Sequence, residues 1–365
     1  MPVSVLPWQT TVWREMLARR QNLPHAMLFS GREGIGKIDF VRKLAQSLAC
    51  ETPAADGAAC GECQSCRWFS VDAHPDYREI RPESMRNVDR DDSEGAAESD
   101  GGSAKRKPSQ EIRIEDVRGL QDFIFLTSHQ RGGKMIVFYP AETLNVNAAN
   151  ALLKNLEEPP AGTRFMLVTH RPSDLPATIH SRCQRVVLPT PEKDLAIRWL
   201  KEQGIAEPAL SLAQTGNAPL LALSLSDGDF WSQRKNLLNG LTSRERDMLA
   251  LAEQVRDVPP ARLLGWLQRW TYDLLSLRSG GTVRYNPDYE KPLAQLAARL
   301  RAIDLSRYHR ALLRQQRTVN HPLSPRLYIE EMLLSYAAVM RGERSEEHTS
   351  ELQSHLNLVC RLLLE

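Results

Sequence analysis

The sequence predicts an α/β domain with a parallel sheet, followed by two regions built only from helices. Three observations lead to this prediction. Apolar runs rich in β-forming residues alternate with helical patterns over residues 1–188. A glycine-rich turn joins the first of these runs to a helix, and beyond residue 189 the strand patterns stop. Strands that alternate with helices are typical of a parallel sheet with helices on both faces.

Length and composition exclude several classes of protein. The 365 residues suffice for two or three domains, and 42% apolar with 25% charged residues is typical of soluble globular proteins. The sequence contains no long apolar span and begins without a secretory pattern, so we expect a cytoplasmic protein without membrane contact. The net charge of +2 excludes a chain-wide basic surface, so any DNA contact is local or shared with partners.

Five apolar runs are predicted to form the strands. They are Ala26–Phe29, a weaker run at Tyr77–Ile80, Met135–Tyr139, Phe165–Thr169 and Arg185–Leu188. Helices are predicted between them, including 38–50 and 146–158. In the latter, apolar residues recur every three or four positions, Asn145 or Asn147 is available as a cap, and Pro159 ends the pattern.

The domain boundaries follow from these patterns. Residues 1–188 form the α/β domain, 189–228 a small helical unit, and 229–342 a larger all-helical domain. An insertion is predicted at 89–110, where residues 89–100 carry six acids against one arginine. We expect the insertion to be disordered, because it offers no aliphatic side chain larger than alanine to offset its ordering entropy.

A phosphate-loop pattern follows the first strand. Gly31, Gly34, Gly36 and Lys37 match G-x-x-x-x-G-K without the final Ser or Thr. These glycines allow backbone N–H groups to face a phosphate, and Lys37 adds positive charge at the helix N-terminus. The alternative is a glycine-rich turn that binds nothing.

The residues that should hold magnesium are missing. Ile38 replaces the hydroxyl residue that ends a working loop, and Tyr139 and Pro140 stand where an acidic pair is expected. We therefore expect no catalytic Mg²⁺ and very slow or absent hydrolysis. Binding of ATP or ADP remains open.

Four closely spaced cysteines form a second motif. Cys50, Cys60, Cys63 and Cys66 include two consecutive C-x2-C steps. Four thiolates predict one closed, structural zinc site within residues 50–66. Redox chemistry and unliganded core cysteines are the alternatives.

Several further segments accompany these motifs. They are Pro7-Trp8-Gln9, His25-Ala-Met-Leu28, His74-Pro-Asp-Tyr77, Asn150-Ala-Leu-Leu-Lys-Asn-Leu-Glu-Glu-Pro159, Ser181-Arg182-Cys183 and His321-Pro-Leu with Arg326 and Glu330. Together they resemble the delta-prime branch of the bacterial DNA polymerase III clamp-loader family, over nearly all of residues 1–342.

This resemblance implies an AAA+ protein: a RecA-like domain with a five-stranded parallel sheet and a zinc knuckle, a helical lid, and an all-helical collar. Family members form a hetero-pentamer with delta and the ATPase gamma/tau subunits, as part of the DNA polymerase III holoenzyme. The complex loads the beta sliding clamp onto primed DNA. Arg182 then corresponds to the arginine finger that acts in a neighbouring ATP site, and Thr169 to the first sensor residue.

The sequence leaves two alternative functions open: an active gamma/tau-like ATPase with unusual metal ligands, and a zinc-stabilised DNA-binding module acting alone. The residues at 38, 139 and 140 favour a non-hydrolysing subunit over the active ATPase. We interpret residues 343–365 as a non-native tail, because they do not continue the helical pattern that ends near Arg341.

Overall fold

The computed structural model describes residues 5–86, 108–125, 132–225, 228–243, 247–316, 319 and 324–341. Of the predicted insertion at 89–110, only residues 108–110 are among the described residues. The predicted tail at 343–365 lies outside them. The chain divides into two compact units, Met1–Ala196 with Ala218–Leu221 and Ile197–Asn217 with Ala222–Glu365. Among the described helices, none is both long and apolar enough for a membrane span.

The first unit contains a five-stranded, all-parallel sheet with the strand order β2-β3-β4-β1-β5. Its strands are β1 (Ala26–Ser30), β2 (Tyr77–Ile80), β3 (Lys134–Phe138), β4 (Thr163–Thr169) and β5 (Gln184–Val187). The predicted α/β class and five-stranded parallel sheet are confirmed. The observed β3 ends one residue earlier than predicted, which leaves Tyr139 in the connection after the strand.

Helices cover both faces of this sheet. Along β1, Met27 and Phe29 pack into the core on one face, and Ala26 and Leu28 into the core on the other. This alternation is the two-residue period of a strand buried on both sides. The helices before the second unit are α1 (Thr10–Ala18), α2 (Lys37–Ala49), α3 (Gln64–Ser70), α4 (Glu83–Arg86), α5 (Ile114–Arg118), α6 (Leu120–Phe125), α7 (Val146–Glu157) and α8 (Ala177–His180).

The caps of α7 agree with its sequence. The Asn145 side chain accepts a hydrogen bond from the Ala148 N–H, which identifies Asn145 as the N-cap. At the other end, the Leu156 carbonyl lies 3.0 Å from Nε2 of His25, the residue that precedes β1. The C-terminal end of α7 is therefore fixed to the start of β1.

The remaining helices run to the end of the described chain. They are α9 (Lys193–Glu202), α10 (Pro208–Gln214), α11 (Pro219–Ser224), α12 (Gly228–Thr242), α13 (Met248–Gln254), α14 (Pro260–Arg278), α15 (Glu290–Arg299), α16 (Ala302–Gln315) and α17 (Pro325–Arg341). In the second unit, α14 packs against α15, α16 and α17, and α13 packs against α17. Its Trp266 and Trp270 are buried, and Trp270 donates a hydrogen bond to Tyr336.

Candidate functional site

The phosphate-loop motif lies at the carboxyl edge of the sheet. It connects β1 to α2, and Ser30 at the end of β1 pairs in register with Thr169 at the end of β4. The loop at residues 31–36 and the segment after Thr169 therefore leave the sheet side by side. Ligands of open α/β sheets bind at this edge.

The loop glycines are required by backbone conformation and by close packing. Gly34 and Gly36 have φ angles of +73° and +82°. A Cβ on Gly34 would lie 2.4 Å from Cγ of Leu221, and one on Gly36 would lie 2.4 Å from Cδ1 of Leu6. Side chains of the first unit thus press directly on the loop, and glycine is the residue that fits there.

The N-terminal segment holds the carbonyl groups of the same loop. Trp8 Nε1 donates to the Ile35 carbonyl at 3.0 Å. Gln9 Nε2 donates to the Ile35 carbonyl at 2.8 Å and to the Gly36 carbonyl at 2.9 Å. The loop conformation is therefore fixed from within the chain. Sequence reasoning noted Pro7-Trp8-Gln9 as part of a resemblance but did not predict this contact.

Lys37 turns away from solvent and donates hydrogen bonds within the protein. Its Nζ lies 2.5 Å from the Arg32 carbonyl oxygen and 2.6 Å from Nδ1 of His170. The residue is only 2% exposed. Burial lowers the pKa of Lys37 to about 8, although Glu142 and Glu33 act in the opposite direction.

His170 is a residue of this site that sequence reasoning missed. Burial, together with the positive charge of Lys37, lowers the pKa of His170. Its backbone N–H donates to Glu142 Oε1 at 3.0 Å, and its ring lies edge-on to the Tyr139 ring. The available signal was its position directly after Thr169, which strand pairing brings to the end of β1.

The other predicted site residues have few oxygens to offer a metal ion. Ile38 is half-buried against the apolar core beside α2. Thr169 is fully buried, and its Oγ1 accepts a hydrogen bond from the Arg171 N–H at 3.1 Å. Burial raises the pKa of Tyr139 to about 12, so its hydroxyl stays protonated at neutral pH. None of these three side chains offers the carboxylate oxygen that Mg²⁺ sites use.

The four predicted cysteine ligands converge in space. The Sγ atoms of Cys50, Cys60, Cys63 and Cys66 all lie within 4.8 Å of one another. Three of the separations are 3.6 Å (Cys50 to Cys60), 3.9 Å (Cys50 to Cys63) and 3.9 Å (Cys60 to Cys66). A tetrahedral ion with metal–sulfur bonds of about 2.3 Å places its ligands roughly 3.8 Å apart. The cluster can therefore hold a metal ion.

Hydrogen bonds around Cys60 favour a thiolate. The Thr52 hydroxyl and the backbone N–H groups of Glu62 and Cys63 donate to its Sγ, and they lower the pKa of Cys60 to about 6. Burial instead raises the pKa values of Cys50 and Cys66. Cys183 lies outside the cluster, and burial raises its pKa to about 11.

Arg182 lies just beyond the C-terminus of α8 and is paired within its own chain. Its Nε donates to Glu157 Oε1 at 2.6 Å, and its Nη2 also contacts that oxygen. Its Nη1 donates to the Thr178 carbonyl and to the Ser181 hydroxyl, both at 3.1 Å. Sequence reasoning identified Arg182 but not its partner Glu157.

Comparison with known sequences decides the family. One family model, described as DNA polymerase III, delta subunit, matches residues 8–192, and a second, for the C-terminal part of that subunit, matches residues 228–337. DNA polymerase III subunit delta' of Pseudomonas aeruginosa is 36% identical over 279 residues, covering 74% of this chain and 77% of its own. This chain belongs to the DNA polymerase III subunit delta' family.

Other known proteins are also similar to this chain. The delta' subunit of Escherichia coli is 30% identical, covering 80% of this chain and 83% of its own. DNA polymerase III subunit tau of Salmonella typhimurium is 34% identical over 159 residues, which is 44% of this chain and 21% of its own. Among solved structures, a gamma subunit-related protein of Thermotoga maritima covers 91% of this chain and 99% of its own at 18% identity and a TM-score of 0.46.

Proposed function

We propose that this delta' family chain is a non-hydrolysing subunit of the DNA polymerase III clamp loader. In this proposal it assembles with the gamma/tau and delta subunits into a hetero-pentamer that loads the beta sliding clamp onto primed DNA. It then works in the bacterial cytoplasm, where the chromosome is replicated. It contributes to the polymerase holoenzyme without turning over ATP itself.

The observation that carries this proposal is the pairing of Lys37. In a working phosphate loop this lysine reaches the nucleotide phosphates. Here its Nζ is bonded to the Arg32 carbonyl and to His170. The adjacent Ile38 has no oxygen for Mg²⁺, so a nucleotide would have to displace the partners of Lys37 and would lack this ligand for its metal ion. Leu221 and Leu6 also pack closely on the loop glycines, which argues against a stably bound ATP or ADP.

We further propose that the four-cysteine cluster binds one structural zinc ion. The spacing of its Sγ atoms and the all-sulfur ligand set support zinc over harder cations, which prefer oxygen. Cys50 follows α2 and Cys66 lies in α3, so a bound ion would tie these two helices together. Bound zinc would supply folding free energy and no catalytic step.

Arg182 is proposed to act on a neighbouring subunit. A guanidinium group can stabilise the charge that develops on a transferred phosphoryl group. Arg182 is one-third exposed on a short connection after α8, so a docked subunit can reach it. The chain would thus promote hydrolysis in its neighbour while having no hydrolysis of its own.

Reconstitution tests the proposed function. Complexes of the gamma/tau and delta subunits are assembled with and without this chain, and loading of the beta clamp onto primed DNA is measured. We expect loading to require the chain. We also expect the purified chain to show no Mg²⁺-dependent ATP turnover and only weak binding to primer-template DNA. Turnover by the chain alone would support an ATPase instead, and tight, salt-sensitive DNA binding would support an independent DNA-binding module.

A further inference from the structure

The guanidinium of Arg182 is held on two sides. One side meets the carboxylate of Glu157, through Nε and Nη2. The other side meets the Thr178 carbonyl and the Ser181 hydroxyl, through Nη1. All three nitrogen atoms therefore donate to acceptors of the same chain, through four of the five N–H groups of the guanidinium. An incoming phosphate can form two parallel hydrogen bonds with Arg182 only by displacing some of these contacts.

The backbone is held in place at both Glu157 and Arg182. Glu157 is the last residue of α7, and the neighbouring Leu156 carbonyl contacts His25. The backbone N–H of Arg182 donates to the Ile179 carbonyl in the last turn of α8. The contact thus joins the ends of two anchored helices. It is unlike an ion pair between two mobile side chains.

The pair is also accessible to solvent and therefore reversible. The side chains of Arg182 and Glu157 are 32% and 49% exposed. An ion pair at this level of exposure is screened by water and contributes little to stability. A triphosphate carries several negative charges and can outcompete a single exposed carboxylate for the guanidinium.

We propose that Glu157 holds Arg182 in a resting position and releases it when the ATP site of the neighbouring subunit comes within reach. Glu157 is then a positioning residue that limits how often the finger engages. This inference rests on the proposed function of Arg182. In the part of the chain that the structure describes, Glu157 is the acidic partner of Arg182, so its charge opposes transfer of the arginine to phosphate.

The test uses the loader reconstituted with gamma/tau and delta, and measures ATP hydrolysis without clamp or DNA. Glu157→Gln removes the charge and keeps an oxygen that can accept from Nε. We expect kcat to rise about two- to fivefold, the range that an exposed ion pair can supply. The rise should appear at saturating ATP, because the exchange follows ATP binding to the neighbour. Glu157→Asp, which keeps the charge, should return kcat towards the wild-type value.

Glu158→Gln is the matched control. Glu158 is the adjacent exposed glutamate, and its backbone N–H bonds to Lys154 in α7. This variant should leave kcat unchanged. The double variant Glu157→Gln/Arg182→Ala should hydrolyse ATP as slowly as Arg182→Ala, because Glu157 acts through the arginine.

The outcomes separate the two claims. Unchanged turnover in Arg182→Ala overturns the finger role and, with it, the proposed function of this residue. Reduced turnover in Arg182→Ala together with wild-type or lowered kcat in Glu157→Gln overturns only the resting-position proposal. A rise in Glu157→Gln that persists when Arg182 is absent also overturns it.

Discussion

Lys37 donates a hydrogen bond to Nδ1 of His170, so the lysine of the phosphate-loop motif is held by the segment that follows the adjacent strand. A protonated lysine has only donors, and Nδ1 must therefore be the acceptor, which leaves His170 neutral. The strand register that pairs Ser30 with Thr169 creates this contact. The lysine of the motif therefore has its hydrogen-bond partners within its own chain.

The first prediction concerns pH and Lys37. Its pKa in the folded chain is about 8, below its usual value of 10.5, so the folded chain binds fewer protons than the unfolded chain between these values. The free energy of unfolding should therefore rise with pH across this window. Relative to Lys37→Met, the wild type should gain on the order of 3 kcal/mol from pH 8 to 10.5. Urea unfolding of both proteins across this range measures the gain.

Lys43→Met serves as the control for the Lys37 prediction. Lys43 lies on the same helix, α2, at a half-buried position. Its variant should keep the pH-dependent gain of the wild type. If the difference between the wild type and Lys37→Met is constant from pH 8 to 10.5, the buried charge of Lys37 is not what the structure indicates.

A second prediction concerns Gly34. An alanine there must adopt a φ of +73° and would place its Cβ 2.4 Å from Cγ of Leu221. Strain and overpacking together should lower the free energy of unfolding by about 2–4 kcal/mol. Urea unfolding followed by circular dichroism measures this loss.

Gly204→Ala isolates the strain. Gly204 has a φ of +83°, but a Cβ there would meet nothing within 4 Å. Its variant should lose only about 1 kcal/mol. If Gly34→Ala and Gly204→Ala cost the same, the contact with Leu221 contributes nothing, and the glycine is present for its conformation alone.

Much of the first unit could be predicted from local patterns. The run Tyr77–Ile80 is observed as β2 over the same residues, and Asn145 caps α7 as one of the two predicted candidates. The cysteine spacing predicted a cluster that the fold brings together. These features depend on residues close in sequence, where side-chain period, capping and ligand spacing act directly.

The missed residues depend on contacts between distant parts of the chain. Gln9 reaches Ile35 across 26 positions, and Lys37 reaches His170 across 133. Arg182 is paired with Glu157, and the strand β4 and the helix α8 lie between them in the sequence. Strand register and helix packing create these contacts, and neither can be read from the local pattern around one residue.

A third prediction concerns the metal. Purified under chelator-free conditions, the chain should carry about one zinc ion, because four thiolates in this geometry bind it tightly. Cys66→Ser should lose most of the zinc and lower the Tm of the first unit. Cys183→Ser, which removes a thiol outside the cluster, should keep the zinc and the Tm. Elemental analysis measures the zinc content of the three proteins, and thermal unfolding measures their Tm. Wild-type protein that is purified without zinc and has the same Tm as Cys66→Ser would contradict the assignment.

The last prediction concerns a buried ion pair in the second unit. Arg234 is 3% exposed, and its guanidinium donates to both Asp288 oxygens, at 2.6 and 2.8 Å, and to Asn286 Oδ1 at 2.9 Å. Asp288→Asn would leave a buried charge without its counter-ion. It should cost about 2–3 kcal/mol, less than a fully buried pair because Asp288 is 28% exposed.

Native-state hydrogen exchange of the α14 amides measures the cost of Asp288→Asn, because Asp273 on this helix accepts hydrogen bonds from residues 284–286 beside the pair. Glu253→Gln provides the comparison, since Glu253 and its partners Arg256 and Arg326 are all about half exposed or more. That variant should change stability by no more than about 0.5 kcal/mol. Equal losses in the two variants would mean that burial of Arg234 adds nothing to the cost of removing its partner.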